Sequence, residues 1–517
     1  MTETSTAAPR PLLSPDGADA PTGIIASFRY AFSSPARIRI EILAGLAVSL
    51  ALIPEAIAFS ILAGVDPAMG LFSSVVMAIA IAFTGGRPAM ITGATGAIAL
   101  VIAPVARGYG MDYFIATVLL GGVLQIVLGA LGVAKLQRFI PRSVMLGFVN
   151  ALGIMIFTAQ LEHLIDVPWI VYPLVGLGVV IMIFFPKLTS VIPAPLVTII
   201  VLTGLVIAAG LTVPTVSDMG KMPETLPSLF IPNVPWTLET LQIIAPYALA
   251  MAVVGLMESL MTAKLVDDIT DTHSDKTRES WGQGVANIAS GFFGGMGGCA
   301  MIGQTMINVR ESGARTRLST LLAGVFLLVL VLALGDIVGM IPMAALVAIM
   351  IMVSVGTIDW HSVHPRTLKL MPVSETIVMA VTIIATLATS NLAIGVVLGV
   401  VTAMIMFARR MAHIASIEKV SEIDGDGEID TRTYRVHGQL FWASSNDLVY
   451  RFDYTDSARH ITIDLTEAEI WDASTVATFD AITQKFQDRG KTVSIIGLDG
   501  PSQDRLNRLS GRLGTGH

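Results

Sequence analysis

The sequence predicts an α-helical polytopic membrane protein of fourteen membrane segments, followed by a small cytoplasmic α/β domain. Three observations predict it. Of 517 residues, 53% are hydrophobic and only 14% charged, against about 25% charged in soluble globular chains. Apolar runs of spanning length, about 17–25 residues, recur from Ile40 to Met411. Lys and Arg gather in alternate connections, as they do when the N-terminus lies inside. The net charge of −7 owes much to a polar tail after Glu418. No HExxH, P-loop or GxSxG motif is present, so the chain is expected not to be an enzyme, an ATP-driven pump or an intramembrane protease.

Residues 1–25 are rich in Pro, Ala, Thr and Ser and read as a disordered tail, without the apolar core of a signal peptide. A first repeat over 38–210 holds spans near 40–62, 68–83, 112–132, 143–163, 168–185 and 194–210. It also holds a shorter, Gly-rich piece at 93–106. An extracytoplasmic linker follows at 211–240, where Pro214, Pro223, Pro227, Pro232 and Pro235 exclude a continuous helix. A second repeat over 241–412 holds spans near 241–263, 316–335, 342–358, 373–389 and 391–408. Its short pieces are 281–293 and 302–310. The inner side then receives Arg29, Arg37, Arg39, Lys135, Arg138, Arg142, Lys264, Lys276, Arg278, Arg315, Arg317, Arg409 and Arg410, among others. The outer side receives Arg107 and Lys221. Both termini are therefore expected in the cytoplasm of a multi-pass protein of the inner (plasma) membrane.

In the tail, TYRVHGQLF alternates like a strand, and HITIDL and TVSIIGL are short strands. Asp472 to Arg489 reads as a helix between the last two, capped by Asp472 or Ser474. This is a small α/β module over 431–510.

The short Gly-rich pieces carry the functional signal. GGRPAMITGATG (85–96) and GGMGGCAMIGQTM (294–306) share a Gly pair, Ala-Met-Ile and Gly-x-Thr, one in each half. Irregular backbone at membrane depth is tolerated only where protein buries it or it lines a cavity. Paired broken helices of this kind form substrate sites in inverted-repeat transporters. A helix N-terminus offers free N–H groups and partial positive charge, so it holds an anion without Lys or Arg. Half-helices are expected to start near Gly93-Ala94-Thr95 and Gly303-Gln304-Thr305. Ordinary small-residue helix packing is the alternative.

Two intramembrane carboxylates stand in corresponding places, Glu55 in ALIPEAIAFS and Glu258 in VVGLMESLMT. Such groups are costly and usually functional. Either can bind Na+ or exchange a proton, and a Glu bonded to a neighbouring helix is the structural alternative. Thr262 lies one turn from Glu258 and can add an oxygen ligand. Pro54 is expected to break the helix beside Glu55, and Phe59 to wall the site or simply pack. His361 and His364 read as interfacial rather than metal-binding. The single Cys299 allows no intrachain disulfide.

These residues resemble the SulP anion permeases, bacterial relatives of the solute carrier 26 anion transporters. The carrying stretches are EILAGLAVSLALIPEAIAFSILAGVDPAMGLFSS, GGRPAMITGATGA, LMESLMTAKLVDD with GQGVANIASGFFGG, and CAMIGQTMINVRESGARTRLS. The tail resembles a STAS domain. The resemblance runs from about residue 38 to 500. It implies a seven-plus-seven inverted repeat, a core (segments 1–4 and 8–11) moving against a gate (5–7 and 12–14), and a homodimer. It places the anion at Gly93, Ala94, Thr95, Gly303, Gln304 and Thr305, with Glu55 and Phe59 beside it and Glu258 in ion coupling.

Many relatives carry Gln at Glu55 and a basic residue at Gln304. The exchange implies that Glu55 is protonated when the anion binds, because a carboxylate and an anion repel in a weakly screened site. Asp472-Ala473-Ser474-Thr475 resembles a loop phosphorylated in soluble anti-sigma antagonists and reads first as a helix cap.

The expected function is secondary active transport of a small inorganic anion, sulfate first, by proton symport. Sodium-coupled bicarbonate or dicarboxylate transport is the alternative, as is a non-transporting sensor working through the tail. No cofactor is expected beyond a bound Na+ or a transported H+. The partners are the anion, the lipid bilayer and a second copy of the chain, with no nucleic acid.

Overall fold

The structure is a computed structural model that describes residues 21–132, 140–188, 193–220, 225–412, 415–422, 431–445 and 448–511. Residues 1–20 of the expected disordered tail lie outside the described residues, as do Lys135, Arg138 and Lys221. The chain divides into two units, 1–400 and 401–517.

In the first unit a short helix, α1 (Ile24–Ala31), precedes α2 (Pro35–Ala63), α3 (Pro67–Thr84), strand β1 (Thr92–Gly93), α4 (Gly96–Tyr109) and α5 (Met111–Ala130). Then come α6 (Arg142–Glu162), α7 (Val171–Leu188), α8 (Ala194–Ala208) and, in the linker, α9 (Val216–Met219). The second half opens with α10 (Leu238–Thr270), α11 (Lys276–Phe292), β2 (Cys299–Ala300) and α12 (Ile302–Met306), which runs on as a π-helical turn, Ile307–Glu311. It closes with α13 (Arg317–Gly339), α14 (Met343–Thr357), α15 (Trp360–Val363), α16 (Pro365–Leu370), α17 (Val373–Thr389) and α18 (Leu392–Ala412), whose residues from 401 on belong to the second unit. Among the described residues eight helices are long and apolar enough to cross a membrane. Four shorter apolar ones, α4, α8, α14 and α17, accompany them.

The helices sort into two groups. In one, α2, α3, α4 and α5 pack with α10, α11 and α13. In the other, α6, α7 and α8 pack with α14 and α17. Close approach explains the tightest pair, α5 with α11. A Cβ on Gly284 would stand 2.5 Å from the Gly122 carbonyl, and one on Gly122 would stand 2.8 Å from that of Gly284. Only paired glycines let these two backbones meet.

Pro54 does not break its helix. Helix α2 runs continuously for 29 residues with Pro54 inside it. Proline removes one N–H, leaving a single i−4 carbonyl without its donor, and the helix is buried around it, so packing sustains the remaining ladder. His364 accepts from Arg366 N at 3.2 Å and so caps α16.

The second unit contains a four-stranded sheet in the order β3 (Ser416–Glu422), β4 (Thr431–Leu440), β5 (His460–Ile470), β6 (Thr492–Ile496). β3 is antiparallel to β4, and β4–β5 and β5–β6 are parallel. After β4 comes α19 (Trp442–Ser445); α20 (Ala473–Gln487) links β5 to β6, and α21 (Gly500–Leu509) follows β6. Tyr434, Val436, Ile463, Leu465, Phe479 and Phe486 form the core, which is the alternation of β4 and β5 meeting one face of α20. Of the two candidate caps, Asp472 caps α20, accepting from Thr475 N at 3.0 Å.

Buried Asp456 accepts from Arg432 Nε at 2.8 Å and pairs with Lys419 at 2.7 Å. Burial alone would raise its carboxyl, but the hydrogen bonds from Arg432 and Lys419 win and hold it far below the usual range. The alternating pattern predicted β4, β5, β6 and α20. β3 and α21 were not foreseen, because SIEKVSE and GPSQDRLNRL each hold only two aliphatic residues from which to read a pattern.

Candidate functional site

The two Gly-rich phrases meet. β1 and β2 are antiparallel, with Thr92 opposite Ala300 and Gly93 opposite Cys299. A Cβ at Gly298 would fall on the Gly93 carbonyl, which only glycine allows. Backbone this irregular needs partners throughout, and helices around it supply them. Ala94 N donates to Ser74 Oγ (3.1 Å) and Ala300 N to Ser259 Oγ (3.0 Å). Gly298 N donates to Asn287 Oδ1 (2.9 Å), and Gly297 N to Ser290 Oγ (3.3 Å). Ile91 N donates to Thr305 Oγ1 (3.0 Å), and Gln283 Nε2 to Thr92 Oγ1 (3.0 Å). These serines, amides and threonines are buried. Gln283, Asn287 and Ser290 sit three and four residues apart along α11, so one polar face in GQGVANIAS serves the strand crossing. That spacing was the signal by which sequence reading could have found them.

From the crossing, two helices depart. α4 starts at Gly96 with Thr95 as N-cap, and α12 starts at Ile302 with Met301 as N-cap. Neither cap is closed by a side chain, so the first N–H groups of both helices are left for other acceptors. The expected starts are corrected accordingly. Gly93 and Ala94 belong to the strand crossing. Gly303 and Gln304 lie in the first turn of α12, whose start is earlier than the sequence echo suggests. Ala-Met-Ile also falls differently in the two halves, before β1 at 89–91 and across the end of β2 at 300–302. The echo is therefore out of register with the structural repeat.

Both helix starts open on one cavity of about 380 Å³. Its lining includes Glu55, Phe59, Thr95, Glu258, Gly303 and Gln304. Gly93, Ala94, Thr305 and Thr262 stand behind this lining. Ala94 and Thr305 hold the crossing as described, and Thr262 Oγ1 donates to the Glu258 carbonyl at 2.8 Å. Phe59 is buried and presses on the start of α4: a Cβ at Gly96 would meet its ring at 2.8 Å. A Cβ at Gly303 would instead meet nothing within 4 Å, so packing does not require glycine there.

The two carboxylates are held differently. Half-buried Glu55 lines the cavity together with the Gln304 side chain. Glu258 is 8% exposed and accepts from Cys299 Sγ at 3.0 Å, and Cys299 Sγ lies 3.1 Å from Thr95 Oγ1. Reading Cys299 only as a cysteine without a disulfide partner missed this contact. The cavity thus combines two helix N-termini, two carboxyl groups and apolar walls from α6 and α14, including Phe148 and Val353. It can hold a small anion by backbone N–H groups and exchange a proton or cation at the carboxyls.

Comparison with known proteins places the chain in a family. A model described as the sulfate permease family matches residues 38–173 and 166–382. The chain is 47% identical over 473 residues to YbaR of Bacillus subtilis (strain 168), a proposed sulfate transporter, covering 92% of this chain and 97% of that one. It is 28% identical over 522 residues to the bicarbonate transporter BicA of Picosynechococcus, covering 91% of each. Among solved structures, the transmembrane domain of a cyanobacterial BicA superposes with a TM-score of 0.61 at 25% identity, over 72% of this chain and 98% of that one. The murine solute carrier 26 member A9 anion transporter, in an inward-facing state, superposes at 0.79 over 94% and 90%. At 15% identity it bears on the fold alone.

Proposed function

The chain belongs to the sulfate permease family, and from that premise we propose that it carries sulfate across the membrane by proton-coupled symport. Membership makes it an anion transporter of the membrane and not an enzyme. The observation that carries the finer reading is the meeting of two uncapped helix starts and two carboxyl groups at one cavity. The N–H groups at the starts of α4 and α12 bind the anion, as helix N-termini do. Gly303 lets it approach the backbone, and Phe59 walls it in. Glu258 takes the proton, and Glu55 is protonated when the anion is bound, so neither carboxylate repels it.

The group containing α2–α5, α10, α11 and α13 moves as an elevator-like core against the group containing α6–α8, α14 and α17. This exposes the cavity to the two sides in turn. The protein works as a homodimer in the inner membrane with both termini in the cytoplasm, the orientation that the Lys and Arg distribution favours. The 28% identity to BicA favours a second reading, bicarbonate carried with sodium at Glu258.

Labelled sulfate uptake into proteoliposomes, with an inward proton gradient on or off, tests the proposal. Gradient-dependent uptake supports it. Absence of sulfate flux in both conditions overturns it, and bicarbonate flux driven by sodium would then establish the second reading.

A further inference from the structure

We propose that Cys299 is a positioning residue that reverses a hydrogen-bond relay, so that a proton on Glu258 turns the Thr95 hydroxyl toward the bound anion. The inference rests on the reading of the cavity as the anion site. Thr95, Cys299 and Glu258 form an unbroken line from the N-cap of α4, through β2, to α10: Oγ1 to Sγ 3.1 Å, Sγ to Oε2 3.0 Å. Both ends of the line touch the cavity, and its middle, Cys299, is fully buried.

The direction of this line follows from which atoms carry hydrogen. An ionised carboxylate only accepts. The thiol must then donate to Glu258, and its sulfur is left to accept the Thr95 O–H. The cavity then meets the lone pairs of the Thr95 oxygen, which an anion avoids. When a proton arrives on Glu258, the carboxyl O–H donates to the sulfur. The S–H turns and donates to the Thr95 oxygen, and the Thr95 O–H is freed to donate into the cavity. No covalent bond to a heavy atom changes; each hydrogen stays on its own atom and only the rotors turn. A thiol is a weak donor and a weak acceptor, so neither direction is locked.

Helix α10 packs against α4, α5, α11, β2 and α12. The side chains these present that touch Glu258 or line the cavity with it are Thr95, Cys299 and Gln304. Cys299, which touches Glu258, and Glu55, across the same cavity, are the titratable groups that bear on it.

The relay makes a prediction opposite in sign to structural damage. Removing the thiol leaves the Thr95 hydroxyl free at every pH. The test measures sulfate affinity of the purified full chain at about pH 5.5 and about pH 8, with bicarbonate as a second probe. In Cys299→Ala, alkaline affinity is expected to rise about tenfold, the worth of one hydrogen bond to an anion, with acid affinity unchanged. Cys299→Ser keeps a hydroxyl relay and is expected to keep the wild-type profile. Thr95→Val is expected to lose about tenfold at acid pH and little at alkaline pH.

Weaker binding by Cys299→Ala at both pH values, an unchanged profile, or binding of neither anion by the wild type overturns the relay. The proton-driven flux experiment is read separately. Absent sulfate flux with the alkaline gain intact would retire the proposed transport reaction and leave the relay standing.

Discussion

The two halves of the molecule each bring one carboxyl group to the same cavity, yet hold it by different means. Glu55 from the first half is half-buried and lines the cavity beside Gln304, a side chain that can rotate to offer either its amide hydrogens or its oxygen. Glu258 from the second half is nearly enclosed, and its partner Cys299 leads on to Thr95 of the opposite half. Both partners come from the second-half segment that runs from β2 into α12. The difference teaches that an inverted repeat need not divide its work evenly. One carboxyl is linked through Cys299 to the N-cap of α4, and the other faces the cavity beside Gln304.

The largest effect should come from removing the linked group. Glu258→Gln is expected to lower proton-driven uptake by about a hundredfold or more, while leaving anion exchange without a gradient measurable. Equal loss of both modes would show a merely structural role and break the comparison.

Next comes the scaffold on which both groups depend. Asn287→Ala leaves Gly298 N without its acceptor and Gln125 Oε1 without its donor. About 1–3 kcal/mol of stability per stranded buried group should be lost, read as a lower unfolding temperature of the purified protein. Unchanged stability would mean that water or a neighbour replaces the amide.

Glu55→Gln sharpens the comparison from the other side. It removes a carboxylate from the anion's surroundings, so anion affinity at alkaline pH should rise roughly tenfold, its pH dependence should flatten, and proton-driven uptake should fall. Proton-driven uptake left intact in this variant would overturn the protonation of Glu55 on anion binding. Gly303→Ala should be gentler. Nothing obstructs a methyl group there, so folding should be intact and anion affinity should fall only about two- to fivefold, by holding the ligand off the backbone. A fall in unfolding temperature would contradict that reading.

The smallest effect on transport is expected from acidifying the second unit, where the carboxyl groups serve stability. Thr455 and Lys419 hold Asp453 below its usual range. The Thr466 hydroxyl and amide do the same for Asp464, and Arg432 and Lys419 for Asp456. Because the folded values are depressed, this stability is present above the ordinary aspartate value of 3.8 and disappears as pH falls through the folded values. Hydrogen exchange of residues 431–511 in the full chain should therefore accelerate as pH drops below about 4, after correction for intrinsic rates. Protection that holds at acid pH would mean that apolar packing alone sustains the sheet.

Much of this molecule was legible along the chain. The apolar runs set the spans, because a bilayer about 30 Å thick admits only segments of a certain length and polarity. Glu55 and Glu258 stood out because charge at that depth is costly. The Gly-rich phrases marked the breaks, because their echo in both halves fits a pair of broken helices. Phe59, Thr95, Gly303 and Gln304 followed from them to the cavity wall.

Other features were decided only by the tertiary structure. The register of β1 on β2 placed the start of α12 earlier than its echo suggested. Packing carried α2 straight through Pro54. Ser74, Ser259 and Asn287 became backbone partners, and Cys299 became the link between Glu258 and Thr95. The physical reason is common to all of these. Length and polarity act on contiguous residues and are written locally. A hydrogen bond needs two groups within about 3 Å, and here the partners lie from 11 to 204 residues apart along the chain, so only the packed core determines which donor meets which acceptor.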